Sequence, residues 1–218
     1  MKPHRWLLII ALAAASCSAQ IIVNGSFEAP VLTSTQNYFG SFSFTGWSGA
    51  STGGTGNAGL VVGTDFGLTP FDGNQHFGFN GNNPAPGTLI EQTFATTIGQ
   101  AYSVAFAIGR NNGFFNQALG LKAEIFGAGN GILSTLAASP PDSVGYAMAT
   151  FSFVANSGAT TLRFTDISGS NPNTDLFIDS VSVTAVPEPS TFALLLAAPA
   201  LMVASRSARA KIRAWLWP

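Results

Sequence analysis

Large apolar side chains recur at every second position over long stretches of this chain. That period fits half-buried β-strands and does not fit an amphipathic helix. Tyr102, Val104, Phe106 and Ile108 alternate with Ala101, Ser103, Ala105 and Ala107. Leu119, Leu121, Ala123 and Ile125 alternate with Gly120, Lys122 and Glu124. Leu162 and Phe164 alternate with Thr161, Arg163 and Thr165, and Phe177, Asp179, Val181 and Val183 share one parity. The pattern predicts strands near 21–27, 41–47, 58–62, 76–80, 88–95, 101–109, 119–127, 146–154, 160–167 and 175–184. Turn clusters separate them, among them Gly53-Gly54, Asn82-Asn83-Pro84, Asn111-Asn112-Gly113 and Asn171-Pro172-Asn173. No helical period of useful length and no strong repeat interrupts 20–186. The expected fold class is all-β, an antiparallel β-sandwich of jelly-roll type.

Composition agrees, and it narrows the chemistry. Only 9% of the 218 residues are charged, against about a quarter in an ordinary soluble domain. Between 20 and 186 the positive residues are Arg110, Lys122 and Arg163, against nine carboxylates, a formal charge of −6. A stretch this acidic has no electrostatic footprint for nucleic acid. The one cysteine, Cys17, and His4 lie in the N-terminal tail, leaving His76 as the middle's single histidine. The middle therefore makes no disulfide, no Cys/His zinc site and no cysteine nucleophile.

The basic residues gather at the two ends. Lys2 and Arg5 precede the apolar run Trp6–Ala15, and small residues Cys17-Ser18-Ala19 follow. Residues 1–19 read as a secretory signal peptide, cut by signal peptidase after Ala19. Competing readings are lipidation of Cys17 in Ala14-Ala15-Ser16-Cys17, and a buried N-terminal helix. At the other end, Pro187-Glu188-Pro189-Ser190-Thr191 stops the last strand and precedes an apolar run, Phe192–Ala204. That run is short for a bilayer span and is expected to form a hydrophobic helix. Arg206, Arg209, Lys211 and Arg213 follow and would stay cytoplasmic. A single-pass anchor and a helix docked on the domain are the other readings. The three-part end, residues 187–218, resembles the PEP-CTERM sorting signal of Gram-negative bacteria. The resemblance implies transient anchoring in the inner membrane, processing by an exosortase, and association with exopolysaccharide or biofilm matrix. Pro199 and the extension Ala214–Pro218 depart from the pattern.

The middle, 20–186, carries a second resemblance. Val23-Asn24-Gly25-Ser26-Phe27-Glu28 with Gly46-Trp47, the turn Phe71-Asp72-Gly73-Asn74, and Leu176-Phe177-Ile178-Asp179-Ser180-Val181 resemble galactose-binding-like carbohydrate-binding modules. The resemblance implies a β-sandwich, and one structural calcium where the first and last strands meet, with Glu28 and Asp179 as its ligands. A physical reason supports entertaining it. The parity of Asp179 with Val181 and Val183 turns its carboxylate inward, and a buried carboxylate must be paired, hydrogen-bonded or metal-bound. The alternative is that Asp179 accepts backbone N–H groups while Glu28 is solvated.

A sugar site would use exposed aromatic rings against C–H faces and Asn or Asp for the hydroxyls. Trp47, Tyr38, Phe114 and Phe115, in or beside loops, are the candidates; core packing is the alternative, and for Trp47 it is the favoured reading. Asp65, Asp72 and His76 could be imagined with a serine as a hydrolytic site, but no Gly-x-Ser-x-Gly elbow is present and a surface or turn role for His76 is the simpler reading. The sequence thus predicts an exported, non-catalytic surface or matrix protein that binds glycan. A structural spacer without a ligand and a secreted hydrolase are the alternatives.

Overall fold

The computed structural model describes residues 21–51, 57–81, 86–111, 118–169 and 174–187. Twelve strands run in order: β1 (Gln36–Tyr38), β2 (Ser41–Phe44), β3 (Trp47–Ala50), β4 (Asn57–Val62), β5 (Gln75–Gly81), β6 (Leu89–Ala95), β7 (Ala101–Arg110), β8 (Leu121–Phe126), β9 (Ile132–Ala138), β10 (Gly145–Val154), β11 (Ala159–Asp166) and β12 (Leu176–Ala185). They form two six-stranded antiparallel sheets, β1-β4-β5-β12-β7-β10 and β2-β3-β6-β11-β8-β9. These pack as a sandwich, the fold class the alternation predicts.

The even residues of β7 (Tyr102, Val104, Phe106, Ile108) are buried in the core, as their period requires. From the second sheet come Ile90, Phe94, Leu121, Ala123, Ile125, Leu162 and Phe164. Aromatic rings bridge the layers: Phe106 meets Phe164 at 4.9 Å between centroids, and Phe27 meets Trp47 at 5.5 Å and Phe77 at 5.8 Å. Much of the phenylalanine content is thus spent on filling the space between sheets.

Three strand assignments are corrected. The 41–47 stretch is two strands, β2 and β3, paired Phe44 to Trp47 around a tight turn. β1 and β9 were not expected; β9 (ILSTLAA) is an edge strand and is nowhere fully buried, so it shows no clean alternation. The third correction is 21–27, which is a series of turns rather than a strand. Asn24 and Phe27 sit at φ 55° and 58°, in the left-handed region. Asn24 suits such a position because its amide bonds locally. Its Nδ2 donates to the carbonyls of Ala29 (2.7 Å) and Thr45 (3.0 Å), and its Oδ1 accepts from the Ala29 N–H at 2.9 Å.

A non-strand arm still needs partners for its backbone. Two buried glutamines supply them, each with a donor and an acceptor. Gln92 accepts from Val23 N–H at 2.7 Å and donates to Val23 O at 2.9 Å. Gln75 donates to Phe27 O (2.7 Å) and Pro30 O (3.1 Å) and accepts from Leu32 N–H at 2.7 Å. Asn24→Ala is expected to cost about 1.5–3 kcal/mol, from three lost hydrogen bonds and a Cβ without local compensation at positive φ. Urea unfolding with an unchanged m-value checks this; a loss under about 0.5 kcal/mol would contradict the hub role.

Candidate functional site

β12 decides which side chains reach the outer face of the first sheet. Its register against β7 runs Phe177 to Gly109 and Asp179 to Ala107, then shifts, so that Ser182 faces Ala105. Ser180, at φ 48°, sits in this bulge. Phe177 and Asp179 therefore project away from the core, while Val181 and Val183 project into it. This corrects the shared parity read from the sequence. Asp179 is nevertheless 0% exposed. The turn 71–75 covers it, and its Oδ2 accepts from the N–H groups of Phe71 (2.8 Å) and Asp72 (3.0 Å), its Oδ1 from Ser180 N–H (2.6 Å).

Glu28 grips the same turn from the other side. Its Oε1 accepts from the N–H groups of Asn74 and Gln75, both at 2.7 Å. Gly73, at φ 69°, lies against the carboxylate, and a Cβ there would collide with it. The two residues predicted to hold calcium are thus brought to one turn, with three of their four carboxylate oxygens taken by backbone N–H groups. Among the described residues no group of three or more His, Cys, Asp or Glu is placed to hold a metal. A calcium ion takes six to eight oxygens, backbone carbonyls among them, and the amide bonds by themselves already answer the buried charge of Asp179. Burial pushes the Asp179 carboxyl up to about 7, the three N–H bonds oppose the rise, and Asp72 adds to it.

His76 is not at the surface, as the turn-rich sequence around it suggested; it is 0% exposed, on the outer face of β5. Its ring stacks on Phe177 at 4.4 Å, and its Nδ1 shares a 2.6 Å hydrogen bond with the Tyr146 hydroxyl. Tyr146 lies over Gly109, where a Cβ would come within 2.6 Å of its ring, and meets Phe71 edge-on at 5.6 Å. Burial lowers the His76 pKa to about 4 and raises that of Tyr146, with the Asp179 charge adding to the latter. The imagined hydrolytic grouping is not assembled: His76 meets the aromatic residues Tyr146 and Phe177, while Asp65 bonds to Asn111.

Beside this cluster the same face opens into a groove of about 180 Å³. Gly59 of β4 and Gly78 of β5 face each other in register and keep its floor low. Thr35, Asn37, Val61, Asp65, Asp175 and Phe177 line it. Asn111 Nδ2 donates to Asp65 Oδ2 at 2.7 Å and to Asp175 Oδ2 at 3.2 Å, and Asn111 Oδ1 accepts from Asp175 N–H at 3.0 Å. Burial, and then the Asp65 charge, hold Asp175 up to about 6, against the pull of the Asn111 bond.

The turn that begins at the groove residue Asp65 carries an exposed aromatic, Phe66, that period and composition do not single out. Asp65 and Leu68 exchange both backbone hydrogen bonds, at 2.9 and 2.8 Å, closing a two-residue turn on Phe66 and Gly67. Both central residues have positive φ, 38° and 87°, the geometry of a primed hairpin turn. Asn or Asp is usual where Phe66 stands. A bulky residue held there at 72% exposure costs both strain and apolar exposure, and such costs cluster at working sites. The signal was Asp-Phe-Gly, a turn signature with an aromatic in the wrong place.

Of the four candidate sugar-stacking aromatics, Trp47 packs in the core, the reading favoured for it, and Tyr38 is corrected to a core residue. Trp47 is 2% exposed and Tyr38 is 7% exposed. Trp47 begins β3 facing the core and donates its indole N–H to Asn24 O at 3.0 Å; Tyr38 stacks on Phe42 at 4.7 Å. Neither has a free ring face. Phe114 and Phe115 lie outside the described residues, as do the signal peptide, Glu188, Pro189, Ser190, Thr191 and the basic residues Arg206, Arg209, Lys211 and Arg213; Pro187 is described, two residues beyond the end of β12. Among the described residues no helix is long and apolar enough to cross a membrane.

The β-sandwich is similar in fold to solved carbohydrate-binding modules. The structure of TmCBM61 in complex with β-1,4-galactotriose is similar over 78% of this chain and 100% of that one, with a TM-score of 0.52 and 13% identity. A family 16 carbohydrate-binding module superposes over 75% and 99%, with a TM-score of 0.45 and 13% identity. The module CBM6cm-2 from Cellvibrio mixtus lichenase 5A, bound to cellotriose, does so over 63% and 92%, at 0.41 and 10%. At these identities the likeness is one of fold. No protein-family model and no curated protein matches the chain.

Proposed function

We propose that residues 20–186 form a non-catalytic glycan-binding module whose site is the groove on the β1-β4-β5-β12 side of the sandwich. The observation that carries this reading is Phe66, exposed on a strained turn whose first residue, Asp65, lines the groove. A sugar ring laid on Phe66 would cover its apolar face, and Asp65, Asp175, Asn37 and Thr35 offer oxygens and an amide to hydroxyls. The groove is smaller than the roughly 300–1,000 Å³ clefts that take drug-sized ligands, so it suits one unit of a longer chain. The likeness of fold to a module solved with β-1,4-galactotriose supports the reading without naming the sugar. Export through residues 1–19 and sorting through 187–218, to the envelope, outer surface or matrix of a Gram-negative cell, belong to the same proposal and rest on the sequence.

Affinity electrophoresis of the exported protein through gels of host exopolysaccharide and neutral plant glycans tests the binding. Wild type is expected to be retarded, and Phe66→Ala to lose about tenfold in affinity at an unchanged melting temperature, since the ring is already exposed. Equal retardation of the two proteins would remove Phe66 from the site. A structural calcium, the remaining proposal for Glu28 and Asp179, would appear as a drop in melting temperature on EDTA treatment and recovery with calcium. Mass spectrometry of the mature ends tests the sorting, which intact Arg213 in the exported product would contradict.

A further inference from the structure

The charges are not spread evenly over the two outer faces. On the second sheet Arg163 pairs with Glu91 at 2.7 Å and Lys122 with Glu124 at 3.1 Å, and the Arg163 guanidinium also covers the Phe126 ring at 4.7 Å. These two cations are held by their own sheet. In the strands of the grooved sheet the only Lys or Arg is Arg110, which is 3% exposed. The groove itself has two carboxylates, Asp65 and Asp175, joined through the neutral amide of Asn111 rather than through a cation. Two carboxylates converging on one amide repel each other, and among the described residues no Lys or Arg lines the groove.

We infer that this groove refuses acidic glycans and takes an uncharged one, with Asp65 and Asp175 as the residues that set the discrimination. The inference rests on the groove being a glycan site and says which class of glycan enters it. A uronate, sulfate or pyruvyl group seated there would add a third negative charge where water is partly excluded, with no arginine to form the bidentate pair that acidic sugars need. A hydroxyl meets the opposite situation, because it donates to a carboxylate and gains a charge-assisted hydrogen bond. The raised pKa of Asp175 reports the same field: burial and the Asp65 charge push it up, and no positive group lowers it.

The test compares polymers that share a backbone and differ in charge: hydroxyethylcellulose against carboxymethylcellulose, and fully methyl-esterified polygalacturonate against polygalacturonate, at pH 7.5 and low salt. In at least one pair wild type is expected to bind the neutral member tenfold or more tighter than the acidic one. Asp65→Asn and Asp175→Asn are each expected to bring that ratio toward one. Glu91→Gln, which removes one negative charge from the opposite sheet, is expected to leave the ratio where it was. Equal or tighter wild-type binding of the acidic member overturns the inference and leaves the glycan site standing. A ratio that Glu91→Gln lowers as much as Asp175→Asn does assigns the effect to net charge and overturns it as well. Binding of no member of either pair, and of no host polysaccharide, overturns the glycan site and the inference together.

Discussion

Near pH 4, replacing Asp179 with alanine should destabilise the sandwich by about 3–5 kcal/mol, lowering the melting point by roughly 10 °C. The carboxylate accepts three backbone N–H groups, and two of them, from Phe71 and Asp72, belong to a turn that has no strand partner of its own. Alanine leaves those donors facing a cavity, and each buried unsatisfied donor costs about 1–3 kcal/mol. Glu28→Ala should cost less, about 1–3 kcal/mol, because Glu28 is only half-buried and water can reach the freed N–H groups. Asp72→Ala is the control: its side chain is exposed, and removing a negative charge beside Asp179 should leave stability within about 0.5 kcal/mol. Should Asp179→Ala melt with wild type, the turn is held by something other than this carboxylate.

The pH dependence supplies an independent readout. Asp179 titrates near about 3.9 in the unfolded chain and at about 7 in the fold. Between those values the folded protein keeps a proton that the unfolded chain has released. Its stabilising contribution is thus complete below about 4 and is lost as pH rises through 7. Asp175 acts in the same direction over a narrower window, ending at about 6. His76 opposes them: its folded pKa of about 4 lies below the unfolded value, so its contribution is present above about 6.5 and lost as pH falls through 4. The gap in melting temperature between wild type and Asp179→Ala should therefore be widest near pH 4 and narrow toward pH 7.

Particular residues show how far the sequence could be read. Period two located β4 to β8 and β10 to β12 because the core-facing positions of those strands carry apolar side chains, and packing between the sheets is what writes the alternation. It failed at β9, an edge strand, and at 21–27, where Asn24 and Phe27 adopt positive φ and the apolar residues serve turns. The Asn24-Gly25-Ser26-Phe27-Glu28 motif was legible as a landmark but not as a mechanism. Its glutamate clasps backbone N–H groups 46 and 47 residues away, a role that spacing in the sequence does not reveal. Asp179 was read as inward-facing, because a bulge of one residue inverts the face of everything beyond it and leaves no mark in composition. The groove was invisible for a related reason. It depends on Gly59 standing opposite Gly78, and register between two strands is set by the whole sheet rather than by either glycine's neighbours.

That dependence on register makes the groove easy to close. Val61→Tyr should abolish glycan binding, weakening it about a hundredfold, roughly 2.7 kcal/mol, while leaving stability within about 1 kcal/mol. Val61 lines the groove and pairs with His76 across the strands, on the outer face of the sheet rather than in the core. A phenol there would occupy much of the 180 Å³ available. The expected loss exceeds that of Phe66→Ala because removing a stacking ring leaves the hydroxyl contacts in place, whereas filling the trough displaces the sugar from all of them. Val154→Tyr adds the same bulk at a position that is 57% exposed at the end of β10 and should bind as wild type does. Thr35→Trp fills the groove from the loop before β1 and serves as the second blocker if Val61→Tyr disturbs the fold. Retained binding in both blocked variants, each with a wild-type melting point, would move the glycan off this face and leave the strained Phe66 turn without its explanation.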